Sequence, residues 1–206
     1  MEPLDEAKSL ERLRRAAIDE FAEHGFEKAN IGRIATTAGM SKKTIYRFVA
    51  SKEDLFLSTA EERLRAIDYA THAAASSELS CRKRLERFLL GFGMLALSDD
   101  GIAFYRVMMR EGMRFPQIAT GYAEAMAKDV IAPLEEILRS GCATGEIVAP
   151  DPNRAARMLV SMTFAEPMHD TALGMSVPRD TVAIEERVAA ALQVFMDGCA
   201  RQAPQA

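Results

Sequence analysis

The sequence has few of the residues from which metal, redox and disulfide sites are built. Its 206 residues include only three cysteines and three histidines. Cys81, Cys142 and Cys199 are far apart and have no Cys or His ligands near them, which argues against a zinc site or a disulfide framework. We expect these cysteines to be buried thiols, and we predict neither a metal nor a cofactor.

Long apolar runs are also missing. The longest, from Phe88 to Leu97, has about half of the roughly 20 residues that a membrane-spanning helix needs. The N-terminal segment from Met1 to Arg15 is highly charged and lacks the apolar stretch of a secretory signal. We therefore expect a cytoplasmic protein that makes no contact with a membrane.

Signals for β-strands are nearly absent. The chain contains no sustained alternation of apolar and polar residues and no Asn-Gly or Asp-Gly hairpin, and only Glu146 to Val148 looks briefly extended. Apolar residues recur instead at spacings of three and four, as they do in Leu10, Leu13 and Ala17. The sequence therefore predicts an all-α fold.

The helix boundaries follow from capping and helix-breaking residues. Gly25 is placed to end the first helix, Ser51 with Asp54 resembles a capping box, and Asp151 is a good N-cap. Pro133 is expected to kink one helix, and Pro167 lies inside another. The predicted helices cover about 5–25, 31–38, 42–49, 51–75, 80–98, 101–113, 116–143, 151–170 and 180–200.

The spacing of the second and third helices is that of a helix-turn-helix. Only Gly39, Met40 and Ser41 separate them, and Ala35 and Gly39 are small where the two helices must approach closely. Ser41 is placed to cap the second helix of the motif. We predict a small head over residues 1–50, a connecting helix from about residue 51, and a larger helical body over 51–206. The predicted head core is Ala17, Phe21, Ile31, Ile34, Ala35, Ala38, Met40, Ile45 and Val49.

Charge in the head is distributed unlike charge in the rest of the chain. The net charge is -4, yet the stretch from Lys28 to Lys52 contains six cations and no anion. Lys42 and Lys43 lie in the first turn of a helix, where cations oppose the helix dipole and so lower helix stability. A role in binding an anionic partner therefore explains these two lysines better than a role in folding. A solvated basic face is the alternative. The candidate DNA-contacting residues are Asn30, Arg33, Lys42, Lys43, Thr44, Tyr46, Arg47 and Lys52.

The same stretch resembles the head motif of the tetracycline-repressor-like (TetR) transcriptional regulators. The resemblance covers about a quarter of the chain, and it departs from the family pattern at Lys43, which is often Gly or Pro, and at Val49, which is often aromatic. The segment 104–116 is similar to the AefR-like C-terminal subgroup. The resembling segments are Gly25-Phe26 through Ile34-Ala35, Ala38-Gly39-Met40-Ser41-Lys42, Thr44-Ile45-Tyr46-Arg47-Phe48 and Ser51-Lys52-Glu53-Asp54-Leu55-Phe56.

The resemblance implies roles for the head residues and for the body. Lys42, Lys43, Thr44 and Arg47 would face the DNA groove, while Asn30, Tyr46 and Lys52 would contact phosphates. A small effector would bind in the body, which is rich in Met and Phe, although ordinary core packing is the alternative for each residue. The candidate effector residues are Phe92, Phe104, Tyr105, Met108, Met109, Tyr122, Met126, Met162 and His169. The polar groups that could orient an effector are Arg106, Arg110, Glu111, Glu166, His169 and Asp170.

The last helices carry apolar stripes that would form half of a four-helix bundle, which a second copy would complete. Packing within one chain is the alternative. A two-fold dimer would present two recognition helices to a palindromic operator of double-stranded DNA. The candidate interface residues are Met158, Met162, Val188, Leu192, Phe195, Met196 and Cys199.

These patterns favour a DNA-binding transcriptional regulator, in particular a repressor released by a small apolar or amphipathic effector. The alternatives are a DNA-binding regulator without an effector, constitutive or architectural, or an activator. A helical enzyme with a vestigial head is a remote alternative, because we find no nucleophile motif, no metal-spaced cluster and no Gly-rich phosphate loop.

Overall fold

The computed structural model describes residues 3–59 and 79–199. Within these ranges the chain forms helices joined by turns and loops, with no β-strand, so the predicted all-α class is confirmed. The helices are α1 (Pro3–Lys28), α2 (Ile31–Ala38), α3 (Lys42–Ile45), α4 (52–59), α5 (Cys81–Ala96), α6 (Asp99–Glu111), α7 (Pro116–Met126), a π-helical turn (Ala127–Ile131), α8 (Ala132–Ala143), α9 (Pro152–Ala172) and α10 (Thr181–Cys199).

Two helix ends differ from the predicted ones by more than two residues. Gly25 interrupts α1 with a left-handed φ of 76°, as expected, but one further helical turn follows it to Lys28. Helix α3 ends at Ile45 rather than at Val49, and the chain continues as turns in which the Phe48 and Val49 N–H groups donate to the Ile45 carbonyl at 2.8 and 3.1 Å. The turns keep Val49 buried beside Ile45 in spite of the shorter helix.

The predicted kink at Pro133 takes the form of a π-helical turn. Residues Ala127–Ile131 are π-helical, and Pro133 follows within the first two positions of α8. Proline lacks an N–H group and crowds the preceding turn, which is a common cause of such an insertion. By contrast, α9 continues through Pro167, whose carbonyl accepts a hydrogen bond of 2.7 Å from the Thr171 hydroxyl.

The chain divides into two compact units, Met1–Arg63 with Asp99–Glu124, and Leu64–Ser98 with Ala125–Ala206. The first unit therefore contains more than the predicted head. Phe104, Val107 and Met108 from α6 and Ile118 from α7 belong to the same buried cluster as the predicted head core. A head of three helices, two of them short, buries little apolar surface, and these residues extend the core beyond what the helix-turn-helix alone supplies.

The second unit is built from α5, α8, α9 and α10. Its buried residues include Phe92 of α5 and Phe164 of α9, whose ring centroids lie 5.2 Å apart in an edge-on arrangement. Cys81 is fully buried and Cys142 is half-buried, while the side chain of Cys199 lies outside the described residues.

Within residues 3–59 and 79–199, no group of three or more His, Cys, Asp or Glu side chains could hold a metal ion. No single helix in 3–59 or 79–199 is long and apolar enough to cross a membrane. Helices α5 and α6, which follow each other with a bend between them, are together long and apolar enough, by length and composition alone.

Candidate DNA-binding site

The helix-turn-helix is fixed by local capping and by a few fully buried side chains. Asn30 caps α2 by accepting the Gly32 N–H at 2.7 Å, and Ser41 caps α3 by accepting the Thr44 N–H at 3.0 Å. Gly39 adopts a left-handed conformation, with a φ of 67°, in the turn between them. Ile45 anchors α3 in the core. The predicted motif is therefore formed where the sequence places it.

The side chains on the outer face of α3 point into solvent. Lys42, Lys43 and Arg47 are exposed, and Tyr46 is 54% exposed. Within the ranges that the structure describes, none of these four side chains makes a hydrogen bond or an ion pair. Thr44 differs, because its hydroxyl lies 2.8 Å from the Ser41 hydroxyl in the capped turn. The exposed face is thus basic, aromatic and free to bind an anionic partner.

Arg33 is tied to a buried carboxylate that the sequence analysis did not single out. Arg33 Nε donates to Oε1 of Glu20 at 2.9 Å, and Arg33 Nη2 also donates to the Lys28 carbonyl at 3.0 Å. The same Glu20 oxygen accepts the Asn30 N–H at 2.8 Å. No spacing rule links Glu20 to Arg33, because they lie on different helices and only the fold brings them together.

The charge state of Glu20 follows from this network. Burial is the largest single influence and favours the neutral acid, but hydrogen bonds from Arg33 and from the Asn30 N–H, with the charges of Arg33 and His24, outweigh it. Together they lower the pKa of Glu20 below its ordinary value. The carboxylate is therefore charged at neutral pH and holds the N-terminal end of α2 in place.

Lys52 also has partners within the head. Its Nζ donates to the Glu27 carbonyl at 2.9 Å and to the Ala29 carbonyl at 3.4 Å, and it lies 4.8 Å from the centroid of the Phe26 ring. The predicted capping box beside it forms in altered form: Ser51 accepts the Asp54 N–H, but Asp54 accepts the Ala50 N–H rather than that of Ser51. Lys52 therefore caps the end of α1 as well as facing the surface.

The candidate effector residues are divided between the two units. In the first, Phe104 and Met108 are buried in the head core, and Phe104 lies 5.8 Å from Tyr122 between ring centroids. Burial, with a smaller contribution from Tyr105, raises the pKa of Tyr122 to about 12, so its hydroxyl stays protonated. Met109 is 62% exposed. In the second unit Phe92 is buried, Met126 is half-buried, and Met162 and His169 are exposed.

Three of the polar residues considered for the effector have partners inside their own unit. Arg110 and Glu111 bond to the backbone of α1, and Glu166 pairs with Arg187 at 3.4 Å. Arg110 and Glu111 are therefore structural residues that hold the backbone of α1 in the first unit.

The candidate interface residues lie on two different faces. Val188, Leu192 and Phe195 are buried inside the second unit, so packing within the chain accounts for them. Met158 and Met162 are 61% and 46% exposed and are available to a partner. Met196 is half-buried, and the side chain of Cys199 lies outside the described part. The exposed apolar surface of α10 is made instead by residues such as Val182 and Val194, which the sequence analysis did not name.

Comparison with known families agrees with this architecture over most of the chain. Residues 83–198 match the family described as the AefR-like transcriptional repressor C-terminal domain, and residues 13–59 match the bacterial regulatory proteins of the tetR family. The chain belongs to the TetR family. TetR-family proteins are transcriptional regulators.

Individual relatives extend the similarity to the whole fold. The fatty acid metabolism regulator protein of Bacillus subtilis (strain 168) is 24% identical over 157 residues, which are 73% of this chain and 77% of that protein. The flavonoid-responsive regulator FrrA matches with a TM-score of 0.69 at 27% identity, over 96% of this chain and all of that one. FadR from Bacillus subtilis, solved in complex with stearoyl-CoA, matches with a TM-score of 0.74 at 18% identity over 91% and 98% of the chains.

Proposed function

We propose that this TetR-family regulator is a homodimeric cytoplasmic repressor that binds a palindromic operator through α3 and releases it when a small apolar or amphipathic effector binds. The observation that carries the proposal is the solvent-facing side of α3. Lys42 and Lys43 are exposed on a helix that Ser41 caps and Ile45 anchors, and Tyr46 and Arg47 are exposed in the turn that follows it. A rigid element presenting cations and a hydroxyl is what major-groove binding requires.

The DNA contacts divide into two kinds. Lys42, Lys43 and Arg47 are placed to reach base edges, and Tyr46 to reach a phosphate. Asn30, Arg33 and Lys52 have intramolecular partners, so we assign them mainly to orienting the helix-turn-helix. Their solvent-exposed atoms can in addition contact DNA phosphates. Thr44 combines a role in the Ser41 turn with access to the groove.

The proposed effector class draws on the relatives. One similar structure contains stearoyl-CoA, in which a long apolar acyl chain is joined to a charged head, and another belongs to a flavonoid-responsive regulator, flavonoids being aromatic molecules with polar groups. Both kinds of molecule are amphipathic. The abundance of Met and Phe in the body fits ligands of that kind. An effector would weaken operator binding only by its preference for the conformation that binds DNA poorly.

The proposed dimer pairs the exposed faces of α9 and α10 with the same faces of a second copy. Met158 and Met162 on α9 and Val194 on α10 are large apolar side chains that are about half exposed or more. A shallow groove runs between the two helices, lined by Met162, Pro178, Ala183, Glu186, Arg187, Ala190, Ala191 and Val194. Two such surfaces would pack against each other and form a four-helix bundle in which these apolar side chains are buried.

The test is fluorescence anisotropy with an operator chosen by unbiased selection and a scrambled DNA of equal length, at two salt concentrations. We expect operator binding orders of magnitude tighter than scrambled binding, with a steep salt dependence from released counterions. Lys43→Ala and Arg47→Ala should weaken operator binding, whereas the control Lys128→Ala, an exposed lysine outside the head, should not. Failure of selection to enrich any sequence would contradict the proposal.

The effector is tested on the operator complex. Stearoyl-CoA and a flavonoid are titrated into it, with buffer alone as the blank, and release of labelled DNA is followed. Release by either compound supports the ligand-responsive repressor. Stable operator binding throughout a broad screen of acyl-CoAs and aromatic compounds would favour the regulator without an effector.

A further inference from the structure

The break in α1 at Gly25 leaves backbone groups that need partners. In an uninterrupted helix the Phe26 N–H would donate to the carbonyl four residues earlier. Gly25, at φ 76° and ψ 165°, turns the chain out of that register. Because Phe21 and Phe26 are buried, polar backbone groups beside them cannot simply turn to water.

Two adjacent residues at the end of α6 supply those partners. Oε1 of Glu111 accepts the Phe26 N–H at 3.3 Å, and Nη2 of Arg110 donates to the Phe21 carbonyl at 3.0 Å. Arg110 Nε also donates to Oε1 of Glu111 at 3.0 Å, so the two side chains hold each other. The pair thus bonds to one backbone acceptor before the Gly25 break, the Phe21 carbonyl, and to one backbone donor after it, the Phe26 N–H.

The carboxylate of Glu111 is buried at a cost. Its side chain is 5% exposed, and its Oε2 has no hydrogen-bond partner within the part of the chain that the structure describes. A buried oxygen without a partner is destabilising, and it offsets part of what the hydrogen bond to the Phe26 N–H contributes to folding. The bond from Glu111 to Phe26 is therefore retained in spite of this cost.

The absence of a side chain at residue 25 is part of the same arrangement. A Cβ atom there would lie 2.8 Å from Oε1 of Glu111 and 3.3 Å from Nη2 of Arg110. Glycine therefore serves both the left-handed backbone and the close approach of the pair.

Phe26 links this junction to the rest of the head. Its ring packs edge-on against Phe56 of α4 and Phe115, with centroids 5.9 and 4.8 Å away, and Lys52 of α4 lies over it. From Phe26 the chain runs directly into α2 through Asn30. A bond that fixes the backbone of Phe26 therefore fixes where the helix-turn-helix begins.

We propose that Glu111, together with Arg110, is a positioning residue for DNA binding, which sets the orientation of the helix-turn-helix through the backbone of Phe26. The inference rests on the proposed function of α3 as the DNA-reading helix. Without the bond the motif would sample several orientations. Phosphate contacts tolerate such freedom, whereas contacts to base edges do not.

The experiment compares operator and scrambled DNA binding at a temperature where circular dichroism shows each variant to be folded. Glu111→Ala is expected to weaken operator binding about tenfold, the order of one charge-assisted hydrogen bond, while scrambled binding changes by less than about twofold. Glu111→Gln keeps an acceptor for the Phe26 N–H and should recover most of the loss. The matched control is Glu27→Gln, which removes the exposed ion pair between Glu27 and Arg114 at the same junction.

Amide hydrogen exchange provides the readout on which the role depends. The Phe26 amide should exchange faster in Glu111→Ala than in Glu111→Gln or Glu27→Gln, while amides in the middle of α2 remain protected. If Glu111→Ala does not fold, Arg110→Gln replaces it, because Arg110 is half-exposed and its loss removes the other half of the pair while Glu111 can still accept the Phe26 N–H. The carboxylate of Glu111 then loses its ion-pair partner, so folding of this variant is checked by circular dichroism in the same way.

Two failures are distinguishable. A wild-type protein that binds operator and scrambled DNA equally would overturn the proposed function. A wild-type protein that discriminates, with Glu111→Ala or Arg110→Gln that discriminates equally well, would overturn only the positioning role.

Discussion

The guanidinium of Arg33 is bound by the carboxylate of Glu20, with Nε of Arg33 2.9 Å from Oε1 of Glu20. The carboxylate is 9% exposed, whereas half of the Arg33 side chain remains in solvent. Because the same carboxylate also accepts the Asn30 N–H, one buried acid orients two of the residues predicted to contact DNA. A buried carboxylate therefore holds Asn30 and Arg33 in position within the basic surface of the head.

Replacing Glu20 with Gln should destabilise the protein in a pH-dependent way. The pKa of Glu20 is lower in the folded protein than in the unfolded chain. Its contribution to the free energy of unfolding is therefore fully present above the ordinary glutamate pKa and is lost as the pH falls through the pKa of the folded state. At pH 7 we expect Glu20→Gln to cost about 1.5–3 kcal/mol, the range of a hydrogen bond to a charged group. Urea unfolding of both proteins between pH 3 and 7 would measure this difference. A difference that stays constant down to pH 3 would contradict the assignment.

Phe104 should prove to be a core residue of the head. It is 8% exposed and its ring stacks on Phe56 with centroids 4.9 Å apart. We expect Phe104→Ala to lower the free energy of unfolding by about 3 kcal/mol, as is typical for loss of a buried aromatic ring. Met109→Ala, on the same helix but 62% exposed, is the control and should change it by less than about 0.5 kcal/mol. Thermal unfolding measured without any effector separates this role from effector binding.

Gly39 tests the conformation of the turn separately from its packing. No heavy atom lies within 4 Å of a Cβ built at Gly39, so a substitution there meets no steric clash and only the left-handed φ of 67° matters. Gly39→Ala should cost roughly 1–2 kcal/mol, and Gly39→Asn should cost less, because Asn tolerates this region better. Chemical denaturation gives both values, and equal costs for Ala and Asn would be inconsistent with this explanation.

The dimer prediction concerns the exposed methionines of α9. A glutamate at Met158 or Met162 would have to be desolvated in the proposed interface, so each variant should sediment as a monomer at micromolar concentrations where the wild type is a dimer. Met175→Glu is the matched control, since Met175 is 54% exposed but lies after α9. A wild-type protein that is already monomeric, or a Met158→Glu variant that remains dimeric, would count against the interface.

Much of the local structure was predictable because its causes are adjacent in the chain. The caps at Asn30 and Ser41, the left-handed Gly39 and the disruption before Pro133 each depend on residues within one helical turn. The length of α3 was less predictable. Its last residues form turns rather than regular helix, although Val49 keeps the buried position that the apolar pattern assigned to it.

Apolar pattern alone did not separate the two faces of α9 and α10. Val188 and Met158 are both apolar and both fall on helical stripes, yet the first is fully buried and the second is 61% exposed. Periodicity shows that a stripe exists, but the element that covers it is decided by packing.

The helical class, the helix-turn-helix and its basic outer face follow from the amino-acid sequence, because they depend on short-range periodicity, capping and local charge. The distant residues that support that motif are known only from the way the helices pack. Phe104 and Met108 complete the head core, Glu20 binds Arg33, and Glu111 binds the Phe26 N–H. These partners are separated along the chain, and no local rule relates them, since their contact exists only once the helices have packed.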